Sequence, residues 1–167
     1  MFKKLLLVVA VVFMAYSMNA QFSKGDKALN IGIGIGNYYS YSSVIPAFNA
    51  SFEVGIIDIP NVGVVGVAGM GTFKTAPHSY GGVYNYSTVT GRGVFHFQFF
   101  DTGDFDLYAG LGAGIGFEAD SYYNYSNSYP EVEEFVGARW MKSDKFGFFA
   151  ELGYGISSLK AGITMKF

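Results

Sequence analysis

The chain has 167 residues, a formal net charge of −2 and no cysteine, which excludes disulfides, thiolate metal sites and cysteine nucleophiles together. Its 13 acidic and 11 basic residues, with no basic run, argue against nucleic acid as a partner. Charged residues are 14% of the chain and aromatics 19%, where an average soluble domain is about 25% charged.

At the amino end Lys3 and Lys4 precede an apolar run over residues 5–15, and Met18-Asn19-Ala20 places a small residue before Gln21. That is the pattern of a secretory signal peptide, and the run is too short for a spanning helix. Residues 1–20 are expected to be removed, leaving one domain over residues 21–167. An exported chain without disulfides needs another source of rigidity, such as a closed hydrogen-bonded ladder.

Eight segments then alternate with period two, the signature of strands with one apolar and one polar face. Residues 28–38 set Leu29, Ile31, Ile33 and Ile35 against Asn30, Gly32 and Gly34. Residues 47–57 set Phe48, Phe52 and Val54 against Asn49, Ser51 and Glu53. The pattern over 62–74 is weaker, with Val65, Val67 and Phe73 preferred as the oily row against Ala68, Met70, Thr72 and Lys74. Residues 87–99 oppose Val89, Phe95 and Phe97 to Thr88, Thr90, Arg92 and His96.

In the second half, residues 105–117 set Leu107, Leu111, Ile115 and Phe117 against Asp106, Tyr108 and four glycines. Residues 133–141 oppose Val136, Ala138 and Trp140 to Gly137 and Arg139, and 146–155 oppose Phe146, Phe148, Ala150 and Leu152 to Glu151. The last segment, 157–167, runs Leu159, Ala161, Ile163, Met165 and Phe167 against Lys160 and Thr164. Each length is close to the 9–11 residues that a tilted strand needs to cross a bilayer.

Short connections at 57–61, 101–104 and 142–145 carry turn residues and alternate with longer ones at 39–46, 75–86 and 119–132. Outer-membrane barrels have short periplasmic turns and longer outer loops, so the long connections are expected at the cell surface.

The polar row carries Glu53, Arg92, His96, Arg139, Glu151 and Lys160 near strand centres. An Arg or Lys facing lipid at mid-depth costs about 2–4 kcal/mol, so these belong inside. The rest of that row is mostly Gly, Ser, Thr and Asn, too sparsely charged to solubilise a barrel exterior. It suits the narrow lumen of an eight-stranded barrel. Buried charges persist when paired, so Glu53, Arg92, Arg139 and Glu151 are expected to form a lumenal ion-pair network, with His96 and Lys160 as further lumenal polar groups.

Gly91-Arg92-Gly93-Val94-Phe95-His96, Gly137-Ala138-Arg139-Trp140 and the stretch from Phe146 to the terminal strand resemble the small outer-membrane β-barrel family, porin-like in the broad sense. The resemblance runs over most of residues 22–167 and is strongest from residue 87. It implies an all-β, eight-stranded, up-and-down antiparallel transmembrane barrel in a Gram-negative outer membrane. It further implies insertion by the outer-membrane assembly machinery, with Phe167 on the last strand as its signal, and no catalytic residue.

The glycines at 32–36 and 110–116 recur every second residue inside strands, with no helix following, so no dinucleotide loop and no cofactor is expected. A serine nucleophile needs a base and an orienting group; His78 lies in a loop next to Ser79 and His96 is expected in the lumen near Arg92, so catalysis is not favoured, and no metal-ligand spacing is present. Tyr122, Tyr123, Tyr125 and Tyr129 are expected in one loop, with Tyr38, Tyr39, Tyr41, Tyr80, Tyr84 and Tyr86 on the same membrane side. Tyr offers large amphipathic contact area at low entropic cost, as in antibody paratopes, and it also forms interfacial belts in barrels.

The reading is therefore a monomeric, non-enzymatic outer-membrane barrel that contacts lipid on its wall and an extracellular ligand or surface through Tyr/Ser-rich loops. The alternative is a narrow pore for water, ions or small solutes, and a lipid A-modifying enzyme is the least favoured.

Overall fold

The computed structural model describes residues 21–36, 45–77, 81–99 and 103–167. The leader expected at residues 1–20, together with Tyr38, Tyr39, Tyr41, His78 and Tyr80, lies outside the described residues. The described residues form eight strands: β1 (Lys27–Ile35), β2 (Ala47–Ile59), β3 (Gly63–Pro77), β4 (Val83–Phe97), β5 (Phe105–Asp120), β6 (Tyr125–Met141), β7 (Phe146–Tyr154) and β8 (Leu159–Lys166). Each pairs antiparallel with its chain neighbour, and β8 returns to β1, closing the barrel. Closure leaves no sheet edge, so every wall strand is hydrogen-bonded on both sides, as a bilayer requires.

The alternation sets which face points where. Leu111 is 69% exposed and Phe48 64%, whereas Glu53 and Arg139 are 2% exposed and His96 is fully buried. Oil is outside and charge is within, so the wall is solvated by lipid. Val67 and Phe73 on β3 point outward while Met70, Thr72 and Lys74 point inward, which is the phase the sequence favours for that weakest segment. Around the end that carries residues 21–26 and Phe167, Phe105 stacks on Trp140 at 6.1 Å, and Phe146 meets Phe148 edge-on at 5.6 Å. These rings form an aromatic rim at the lipid–water interface.

Inward glycines make room for the ring systems that fill the bore. A Cβ on Gly137 would lie 2.5 Å from Tyr108 Cζ, so the tyrosine occupies the space that the glycine leaves. Gly110 seats Phe135 in the same way. Beneath the bore, residues 21–26 fold across the floor: Gly25 N donates to Gly55 O at 2.9 Å, and Phe22 is 1% exposed.

The strand ends differ from expectation. The spans 75–86 and 119–132 read as long loops in sequence, yet strand pairing continues from Lys74↔Tyr86 to Pro77↔Val83 and from Phe117↔Ser128 to Asp120↔Tyr125. Tyr125 and Tyr129 therefore lie on β6, with only Tyr122 and Tyr123 in the turn that joins β5 to β6. The physical reason is that above the bilayer both faces of a strand meet water. The oily/polar alternation disappears there while the backbone ladder persists. Asn124, at φ 50°, supplies the left-handed turn position that closes this tight hairpin.

Candidate functional site: an ion-paired bore under a tyrosine-bearing rim

Six strands contribute the groups that gather in two ion-paired layers of the bore. In the lower layer His96 on β4 lies between two carboxylates. Its Nε2 is 2.5 Å from Glu53 Oε1 on β2, and its Nδ1 is 2.9 Å from Asp106 Oδ1 on β5. A ring flanked in this way donates to both carboxylates only as the imidazolium. Arg139 on β6 completes the square, its Nη1 lying 3.2 Å from Asp106 Oδ2 and its Nη2 bonding Glu53 Oε2. Phe22 stacks on His96 at 4.4 Å from below and also lies 5.2 Å from the Arg139 guanidinium.

The upper layer is built on Arg92. Its guanidinium grips Glu151 on β7 in a bidentate pair at 2.8 and 3.3 Å, and its Nε lies 3.2 Å from Glu133 Oε2 on β6. The ring of Phe135 lies 3.5 Å from the same guanidinium carbon. Thr90 donates to Glu133 Oε1 at 3.0 Å, and Lys160 Nζ on β8 stands 3.8 Å from Glu151 Oε2. Such pairs repay their desolvation only with good geometry and further hydrogen bonds; both layers make several, while Arg92 Nε, Glu133 Oε2 and Arg139 Nε make none.

The structure thus brings Glu53 to Arg139 and Arg92 to Glu151, with His96 in the first layer and Lys160 in the second. Sequence reasoning missed Glu133, Phe22 and Phe135, and it did not count Asp106 among the paired charges. Parity carried the signal for two of these: Glu133 shares the inward register of Arg139, and Asp106 that of Tyr108.

Above the bore, β3 to β6 are 15, 15, 16 and 17 residues long, whereas β1, β7 and β8 are 9, 9 and 8. The excess stands as a four-stranded sheet about 15 Å beyond the shorter strands, at about 2.5 Å of axial rise per tilted residue. Tyr84 and Tyr86 on β4 and Tyr125 and Tyr129 on β6 share the register of the bore-facing residues, while Ser87, Ser126 and Ser128 share that of the outer wall. At the tip Asp120 Oδ1 accepts from the backbone N of Tyr122 at 2.8 Å and of Tyr123 at 3.3 Å. The two tyrosine rings meet edge-on at 4.9 Å, with Tyr123 64% exposed. Ser121 locks the hairpin to β4 by accepting from Val83 N at 2.8 Å.

No family model matches the chain, and no curated protein matches it. Among solved structures it is similar to the crystal structure of Ail, the attachment invasion locus protein of Yersinia pestis, at 20% identity and a TM-score of 0.54, covering 87% of this chain and 100% of that one. Ail in complex with the heparin analogue sucrose octasulfate gives 21% identity and 0.52 over the same shares. The N-terminal β-barrel domain of Pseudomonas aeruginosa OprF gives 12% identity and 0.56, over 86% of this chain and 98% of that one. At these identities the likeness establishes the fold, and that fold is the closed eight-stranded barrel of small outer-membrane proteins.

Proposed function

We propose that the chain is a non-enzymatic outer-membrane barrel that holds a rigid, tyrosine-tipped sheet above the cell surface and contacts a polypeptide partner with it. The observation that carries this reading is the β3–β6 extension, whose tip is preorganised by Asp120 and Ser121. Rigid tyrosines lose little conformational entropy on binding, which is why such surfaces suit protein recognition. In this reading both termini lie at the periplasmic side, Phe167 is the recognition signal of the assembly machinery, and residues 1–20 serve as the export leader.

The bore supports the same conclusion. Two layers of ion pairs and the Phe22 floor fill it, and His96 is held between two carboxylates instead of facing a nucleophile. A bore filled in this way favours a structural role over a conducting or hydrolytic one.

Charge narrows the partner. Ail has been crystallised with a polysulfated sugar, but the sheet here carries Glu118 and Asp120 beside its tyrosines. Carboxylates at that position oppose a sulfated ligand and favour a neutral or basic peptide surface.

Adhesion tests the reading. Cells displaying the barrel are compared with cells displaying the Tyr122→Ala/Tyr123→Ala variant on serum-protein-coated and heparin-coated surfaces. The expected result is retention on protein alone, reduced at least tenfold in the variant. Retention on heparin, or equal retention of both forms on protein, rejects it.

A further inference from the structure

The sheet that rises beyond the bilayer has an outer face, chemically unlike the lipid-facing wall beneath it. Two paired rows cross that face. Phe73, Ser87, Phe117 and Ser128 form the lower row, and Thr75, Asn85, Ala119 and Ser126 the upper one. Directly beneath runs the apolar row of Gly71, Val89, Ile115 and Pro130, with Val89 65% exposed.

Height restricts what meets this face. Phe117 stands twelve residues along β5 from the rim residue Phe105, and Ser128 twelve along β6 from Trp140. At about 2.5 Å of axial rise per residue that is about 30 Å, against an apolar band about 25 Å tall. The lower row therefore lies about 5 Å above the acyl chains and the upper row about 10 Å, level with the headgroups.

The face is shaped for hydrogen bonding around one ring. A groove of about 460 Å³ is lined by Asn85 and Ser87 on β4, Phe117 and Glu118 on β5, and Ser126 and Ser128 on β6, a volume in the range of small-ligand sites. Phe117 is 48% exposed. Thr75 Oγ1 donates to Asn85 Oδ1 at 2.8 Å, which fixes the amide and leaves its Nδ2 to donate outward. The hydroxyls of Ser87, Ser126 and Ser128 hydrogen-bond to no other described residue. An interfacial girdle accounts for a ring at this level, but not for the hydroxyls gathered round it.

Charge selects among headgroups. Neither row carries a charged side chain, and the charged residue that lines the groove, Glu118, is acidic. A phosphate is held by Arg, Lys or converging N–H donors, and a carboxylate repels it. A sugar suits the groove instead. Its C–H face loses apolar contact with water on an aromatic ring, and its hydroxyls exchange hydrogen bonds in both directions with serine and amide groups.

We propose that the outer face of the β4–β6 extension holds the sugar headgroup of an outer-leaflet glycolipid, with Phe117 under the ring and Asn85, Ser87 and Ser128 bonded to its hydroxyls. This rests on the reading that the extension lies outside the cell, and it is separate from the polypeptide partner of the tyrosine tip.

Native mass spectrometry of the purified barrel tests it. Barrels in detergent are offered equal amounts of rough lipopolysaccharide, the same lipopolysaccharide after dephosphorylation, and phosphatidylglycerol. The expected result is one lipopolysaccharide per barrel, retained at least as well after dephosphorylation, and at least tenfold less phosphatidylglycerol. Ser87→Ala/Phe117→Leu/Ser128→Ala is expected to lower lipopolysaccharide retention at least tenfold, and Phe117→Tyr alone to preserve it. Retention that falls on dephosphorylation assigns the site to phosphate and overturns the proposal, as does retention that the triple variant leaves unchanged. Free core oligosaccharide at the same concentration is expected not to displace the glycolipid. Displacement would make a soluble glycan the ligand and overturn the membrane source. Cells displaying the triple variant are expected to adhere to protein as the parent does, whatever that level is. A selective loss of adhesion would assign these residues to the polypeptide contact and overturn the proposal.

Discussion

Tyr108 and Glu151 join the two ion-pair layers: the phenol donates to Glu151 Oε1 at 3.2 Å in the upper layer, while its ring lies 4.7 Å from the Arg139 guanidinium in the lower one. The side chain is 2% exposed, so no solvent replaces that hydrogen bond if it is lost. Tyr108→Phe is expected to destabilise the barrel by about 1.5–3 kcal/mol, the range for a hydrogen bond to a charged group. Urea unfolding of the reconstituted protein measures this, and an unchanged midpoint would show that the two layers are independent.

Arg139 neutralises two carboxylates that are otherwise left with His96 alone. Arg139→Met is expected to cost about 3–5 kcal/mol, because breaking a buried pair strands charge in the bore. Adding Glu53→Gln removes the stranded charge, and should recover part of the loss. If the single and double variants unfold at the same denaturant concentration, the two charges do not act on one another.

The filled bore makes an electrical prediction. In planar bilayers the parent barrel is expected to be silent, since Arg92 spans from Glu133 to Glu151 across the upper layer and Phe22 covers His96 in the lower one. Replacing Arg92 and Glu151 together by Ser, in a chain that also carries Phe22→Ala, should produce resolvable current steps. Steps from the parent barrel would contradict a closed bore.

How much of this was legible in the sequence depended on where lipid imposes a pattern. Within the bilayer every second residue must be apolar, so the inward facing of Glu53, Arg92, Arg139 and Glu151 followed from period two alone. Their pairing did not follow. Glu53 on β2 and Arg139 on β6 are brought together by closure and tilt, and Arg92 reaches Glu133 because the paired row runs from Glu53 through Ala68 to Arg92, Gly112 and Glu133. Above the bilayer the pattern ceased, and the strand ends that carry Tyr84 and Tyr125 looked like loops. Phe22 belongs to a segment with no periodicity, and only the folded floor gives it a partner.

Glycine offers the sharpest contrast between the two faces, because one substitution should act oppositely on them. At Gly137 an added methyl would lie 2.5 Å from Tyr108 Cζ, inside the bore, where the ring is enclosed and cannot swing clear. At Gly69, on the lipid-facing side of β3, an added methyl meets nothing within 4 Å. Gly137→Ala is expected to destabilise by about 1–3 kcal/mol, as overpacking does, and to weaken the Tyr108–Glu151 hydrogen bond. Gly69→Ala is expected to be neutral or to stabilise by up to about 1 kcal/mol, since a glycine in a strand loses the most backbone freedom on folding. Parallel urea titrations of the two variants measure both. Equal destabilisation at the two sites would mean that the two walls do not differ as described, with lipid on one side and a packed bore on the other.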